Sequence, residues 1–168
     1  MSAETIFAMG SDQMANQFIV LFPLGIPGGG NKDVMSLRMD QAFDPPSEAL
    51  ATYDIFYRGL KITKVSTLEE TDKSFSLSFR LDQSWEVYDG LRDWKKMVFD
   101  PDTHIALSDS EVRTSVIVQY LGREGGIVHT GLFKGVVIKS LKLESADPSS
   151  ADPLRVTAEF SYYDFSME

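Results

Sequence analysis

Ser74-Phe75-Ser76-Leu77-Ser78-Phe79-Arg80-Leu81 alternates large apolar side chains with three serines and an arginine. A period of two is the signature of a pleated strand with one face in a core and the other in solvent. The same pattern recurs at Met35, Leu37 and Met39 against Ser36, Arg38 and Asp40. Residues 17–24 form a short apolar run of β-formers ended by Pro23-Leu24-Gly25, too short for an isolated helix and of the length of a buried strand. Residues 53–65 continue the extended pattern through Ile55-Phe56-Tyr57 and Leu60-Lys61-Ile62-Thr63-Lys64-Val65, with Arg58-Gly59 as a turn or bulge. Further strands are expected at 113–121, 127–129, 135–144 and 154–165, with a turn at 122–126.

One segment has helical spacing. Val87, Leu91, Trp94 and Val98 fall on one face, with Glu86, Asp89, Arg92, Asp93 and Lys96 opposite. Asp82 or Ser84 is placed to cap its start and Asp100-Pro101 to stop it, which predicts a helix over about 84–98. Many strands and one helix predict a mainly β fold, an antiparallel sandwich or partial barrel with the helix packed at its side. The glycine-rich residues 25–33 read as a flexible surface loop. Residues 43–59, broken by Asp44-Pro45-Pro46, read as a long connection too apolar to be idle.

At 168 residues, 43% hydrophobic and 24% charged, the chain suits one domain spanning 1–168. It has no cysteine, which excludes disulfides, thiolate metal sites and a cysteine nucleophile. Sixteen basic against twenty-five acidic residues give a net charge of −9, which argues against affinity for nucleic acid or anionic membranes. Residues 1–13 lack the basic start and apolar stretch of a secretory signal, and no eighteen apolar residues run together, so the expectation is a protein made in the cytosol without a membrane anchor.

Motifs for chemistry fail in turn. The two histidines, His104 and His129, lie in no nucleophile context such as G-x-S-x-G, so the reading is not an enzyme. The glycines before Asn31-Lys32-Asp33 lack the G-K-[ST] spacing of a phosphate cradle, and no helix follows them. Asp100, Asp102, Ser108 and Glu111 occupy positions 1, 3, 9 and 12 of a calcium loop, yet His104 and Ile105 stand where a hard oxygen ligand and a glycine are needed. Trp85, Tyr88 and Trp94 invite a sugar-stacking reading, but Trp94 belongs to the apolar stripe and Trp85 alone projects to the polar side, where it reads as an interface residue. No cofactor or metal is expected.

A resemblance then spans residues 16–166. The strand Asn16-Gln17-Phe18-Ile19-Val20, the long 43–59 segment running into Leu60-Lys61-Ile62, the strand Phe75-Ser76-Leu77-Ser78-Phe79 and the helix bearing Tyr88-Asp89-Gly90-Leu91-Arg92-Asp93-Trp94 come in an order that resembles the tail tube protein of contractile-tailed, T4-like bacteriophages. Ser115-Val116-Ile117-Val118-Gln119-Tyr120, the Phe133-Lys134-Gly135 step and Val156-Thr157-Ala158-Glu159-Phe160-Ser161-Tyr162-Tyr163-Asp164 continue it. The resemblance implies homo-hexameric rings whose strands complete a β-barrel channel and which stack into the inner tube of a virion tail assembled in the host cytoplasm. It further implies sheath, baseplate and tail-terminator proteins as partners, and DNA passing through without specific binding. Phe43, Pro45, Pro46, Tyr53, Ile55, Tyr57 and Gly59 are the expected inter-subunit and ring-stacking residues, and Asp40, Glu69, Glu70 and Asp72 the expected acids of lumen or ring face. The lead-in of residues 1–15 and the 25–33 loop depart from the simplest tube subunits, which leaves a tube-initiating or tube-ending ring as alternatives. A bacterial secretion-system tube protein and a monomeric carbohydrate-binding sandwich are the other classes.

Overall fold

The structure, a computed structural model, describes residues 18–29, 38–39, 50–68, 73–145, 149 and 151–168. Its elements in chain order are β1 (Phe18–Leu21), β2 (Leu50–Tyr57), β3 (Leu60–Leu68), β4 (Ser74–Arg80), α1 (Glu86–Val98), α2 (Asp109–Val112), β5 (Thr114–Leu121), β6 (Ile127–Leu143), β7 (Arg155–Ser161) and β8 (Asp164–Met167). All described strand pairs are antiparallel. Six strands form one open sheet in the order β1-β5-β6-β7-β4, with β8 also on β6, while among the described residues β2 and β3 pair only with each other.

Strand β6 organises the body. Its first half runs between β5 and β8, and its second half pairs with β7, which in turn carries β4. Sequence patterning predicts two strands here, 127–129 and 135–144, but Gly131 and Gly135 both lie inside one 17-residue strand. Gly135 has φ +65°, and a Cβ there would enter the Tyr163 ring. This residue lets the strand change direction between its two sets of partners. The expected final strand likewise divides into β7 and β8, with Tyr163 N–H donating to Lys134 O across the bend. Gly135→Ala should lower stability by about 2 kcal/mol, from the left-handed backbone plus a displaced ring. Thermal unfolding checks it, and an unchanged midpoint would contradict the bend.

The predicted alternation puts Phe75, Leu77 and Phe79 inside, with Phe79 fully buried. Phe133 of β6 sits at the centre, its ring centroid 4.6 Å from Phe75, 4.5 Å from Phe165 and 5.0 Å from Tyr162. Helix α1 packs against β6 and buries Val87, Leu91 and Trp94, as its spacing requires. Trp94 is the largest fully buried side chain, its ring tilted 37° to that of Phe160 at 5.6 Å, and it donates its indole N–H to Val112 O at 2.6 Å.

Three local expectations are corrected. Helix α1 starts at Glu86, and its N-cap is Trp85 in the left-handed region, φ 56°, without a side-chain cap. The Asp82 carboxylate instead takes the Ser84 hydroxyl at 2.8 Å and the Arg38 guanidinium at 3.1 Å, which hold it below the usual aspartate range, the Ser84 bond contributing most. Secondly, the described part of the glycine-rich loop, 25–29, has no regular structure but is packed on α1. Ile26 is buried, Gly25 O accepts from Thr114 Oγ1 at 3.1 Å, and Gly28 lies so close to Gly90, Asp93 and Trp94 of the helix that a Cβ would strike their backbone. Thirdly, the expected 43–59 loop gives way at residue 50 to strand β2, in which the extended pattern expected from residue 53 holds, Tyr53, Ile55 and Tyr57 finding cross-strand partners on β3.

Candidate assembly surfaces

The β2–β3 hairpin stands away from the body as a two-stranded arm. Arg58 (φ 47°) and Gly59 (φ 83°) both have positive φ and join the strands as a two-residue turn, the geometry that matches strand twist. The Arg58 guanidinium lies 5.4 Å from the Tyr57 ring centroid, which steadies a non-glycine residue in that position. Directly opposed residues share a face, so the register Tyr53↔Lys64, Ile55↔Ile62 and Tyr57↔Leu60 gathers five large apolar side chains on one side with Lys64 beside them. The other side carries Asp54, whose carboxylate meets Lys61 Nζ at 2.8 Å and accepts from Thr63 Oγ1 at 2.7 Å. Those bonds, the Lys61 one foremost, hold Asp54 below the usual aspartate range.

A two-stranded hairpin alone is marginal in water, and this one exposes its greasy side. Tyr57 is 60% exposed, Leu60 67% and Phe56, on the polar side, 72%. Exposed apolar surface of this extent on a projecting element marks an interaction site. Of the expected inter-subunit residues, Tyr53, Ile55, Tyr57 and Gly59 are therefore together on the arm, with Leu60 and Ile62 adding to them. Phe43, Pro45 and Pro46 lie outside the described residues, as do the expected lumen or ring-face acids Asp40, Glu69, Glu70 and Asp72.

The second candidate surface is backbone. In the order β1-β5-β6-β8, neither β1 nor β8 has a described strand on its far side. The core-facing row holds Val20, Val116, Val118, Phe133 and Phe165. The opposite row pairs Ile19 with Gln119, Leu21 with Ile117, Ile117 with Leu132, Gln119 with Thr130 and Leu132 with Ser166. Its charges are Lys134 and Asp164, joined at 3.3 Å, and Glu168, paired opposite Thr130 just past β8.

The remaining sequence candidates take local roles. Asp100 accepts from Asp102 N at 3.0 Å and Thr103 Oγ1 at 2.9 Å, and the backbone bond from Asp102 leads in lowering its pKa. Glu111 closes a capping box with Ser108 at the start of α2, and the Ser108 hydroxyl lowers its pKa. The spacing that imitates a calcium loop is thus that of a turn followed by a capped helix. Added calcium or chelator should leave the melting temperature unchanged, and a rise of several degrees would contradict this, since ligand at a hundredfold its Kd adds about 2.7 kcal/mol. Trp85 meets Tyr88 edge-on at 5.5 Å and Trp94 is buried, so the three make no coplanar sugar platform. His104 lies against Phe99, and His129 Nδ1 is 3.3 Å from Glu168 O. Arg38 pairs with Asp82 at the approach to α1.

No protein-family sequence pattern matches the chain, and no curated protein sequence does. Solved structures do match. A chain of the sheath/tube terminator of the extracellular contractile injection system PVC, in its extended state, superposes with a TM-score of 0.66 at 12% identity, covering 95% of this chain and 99% of that one. A chain of the PVC sheath-tube complex gives 0.64 at 13% identity over 100% and 98%. A chain of the tube-terminating cap of the anti-feeding prophage gives 0.66 at 9% identity over 95% and 93%. Across its length, this chain has the fold found in these tube and terminator assemblies of contractile injection systems.

Proposed function

We propose that the chain is a structural, non-catalytic subunit of the tube of a contractile injection apparatus. The observation that carries the reading is the four-stranded β1-β5-β6-β8 sheet with both edges open among the described residues. Four antiparallel strands place β1 and β8 in opposite directions, so β8 of one copy can continue into β1 of the next with the antiparallel pattern unbroken. Closing such a series removes every edge. Six copies with strands about 4.8 Å apart enclose a backbone ring about 37 Å across, wider once the strands tilt.

The shared fold supports the same reading, and so does the arm. Its eight-residue strand reaches about 27 Å, enough to cross onto a neighbouring subunit. In such a ring the sheet face opposite the core lines the channel. On the described strands that face carries the Lys134–Asp164 pair, with Glu168 just past β8 on the same side. A lining of aliphatic, hydroxyl and amide groups still offers phosphates few cations to hold them, which suits DNA passing through a phage tail. The finer reading is that tail inner tube, with sheath, baseplate and terminator proteins as partners; a ring that starts or ends the tube uses the same surfaces. Negative-stain images of the purified protein test it: rings or stacked tubes are expected, and a strictly monomeric particle at high concentration overturns it.

A further inference from the structure

The arm carries a net positive charge in an acidic protein. Residues 50–68 hold Arg58, Lys61 and Lys64 against Asp54, while the whole chain carries −9. Asp54 is taken by Lys61, so Arg58 at the tip and Lys64 beside the apolar face are the charges the arm offers a partner. A surface that accepts it must therefore be apolar and acidic together.

The segment 99–111 after α1 is such a surface on the body. Phe99 is 53% exposed, Ile105 60% and Leu107 40%. The segment contains Asp100, Asp102, Asp109 and Glu111; Asp109 pairs with Arg113 at 3.0 Å, which leaves Asp100, Asp102 and Glu111 to face a partner. It is also built to keep its shape. Asp100 and Ile105 form a β-bridge, His104 N–H donates to Asp100 O at 2.8 Å, and Leu107 N–H donates to Met97 O at 3.1 Å. Local hydrogen bonds hold Asp100 and Glu111 ionised below the usual carboxylate range. Several other exposed apolar positions have cations among their acids: Leu143 adjoins Lys142 as well as Glu144, Ile127 and Val128 follow Arg123 and Glu124, Asp82 near Trp85 pairs with Arg38, and Asp164 beside Tyr163 pairs with Lys134.

We infer that the arm of one copy docks on the 99–111 segment of a second copy, apolar face to Phe99, Ile105 and Leu107, with Arg58 and Lys64 against its carboxylates. This rests on the assembly reading above and names its contact. Each copy carries one arm and one acceptor, so the contact is head-to-tail and propagates, as a ring or a stack requires. Charge complementarity fixes which patch is chosen, while apolar burial supplies most of the affinity.

The absence of native cysteine makes a direct test possible. In a chain carrying both Arg58→Cys and Ile105→Cys, a short bismaleimide should give a covalent ladder beyond the dimer, whereas either single variant should give no ladder. In parallel, Arg58→Glu should weaken association at least tenfold at low salt, and adding Asp102→Lys to the same chain should restore it. Rings or tubes that form without the ladder, or a charge reversal that neither weakens nor is rescued, overturn the docking and leave the ring reading standing. A wild-type chain that stays monomeric removes both.

Discussion

Replacing Ile55, Tyr57 and Ile62 by threonine should abolish assembly while leaving the body's thermal midpoint within about two degrees of the original. Threonine keeps the β-propensity of the arm, so the hairpin is retained and only its apolar face is lost. None of the three contributes to the core, whose buried residues come from β1, β4, α1, β5, β6, β7 and the turns beside them. A fully buried side chain of this size stabilises by about 1.5–3 kcal/mol, so three of them remove about 5 kcal/mol, or a few thousandfold in association. Sedimentation or mass photometry reads the association, and calorimetry reads the body. Normal assembly of the triple variant would remove the arm from the interface; a large fall in the midpoint would place it in the core.

Gly28→Ala should be the most damaging single methyl in the described body, at about 3 kcal/mol or more. The added Cβ meets the Trp94 nitrogen, the Gly90 carbonyl and the Asp93 carbonyl carbon, all backbone, so no side chain can swing aside. Either the 25–29 loop lifts and uncovers Ile26, or α1 shifts and disturbs Trp94. For a domain of this size, 3 kcal/mol corresponds to a midpoint lower by about 6–12 °C. Gly29→Ala is the comparison. Its φ is +80° with nothing within 4 Å of a Cβ, so only the left-handed backbone is penalised, at about 1 kcal/mol. Equal effects from the two substitutions would contradict the close approach.

How legible these features are in sequence depends on whether their physics is local. The alternation at Phe75, Leu77 and Phe79 and the helical stripe at Val87, Leu91 and Trp94 declare their buried faces because each period is set by one element's own geometry. The same glycines that signal a mobile loop at 25–29 are required for backbone-to-backbone contact with α1, and composition cannot separate the two uses. Gly131 and Gly135 look like strand ends for a similar reason, although one lies under Phe165 and the other under Tyr163. Ser108 and Glu111 fit a calcium spacing and a capping box equally well, and only the short helix after them decides. The arm is half legible: Ile55-Phe56-Tyr57 and Leu60-Lys61-Ile62 read as extended about an Arg58-Gly59 turn, while Asp44-Pro45-Pro46 carries a loop reading on to 59, and the register with β3 decides between the two. The acceptor at 99–111 carries no sequence signature, because its apolar and acidic residues are gathered by a turn.

Edge-to-edge closure of the sheet is tested most directly by amide hydrogen exchange, comparing dilute monomer with the assembled protein. The account predicts that amides of β1 (Phe18–Leu21) and β8 (Asp164–Met167) exchange rapidly in the monomer and become protected together on assembly, while β5, already paired on both sides, changes little. Assemblies in which β1 and β8 keep the monomer's exchange rates would contradict it, since the subunits would then associate without joining their sheets.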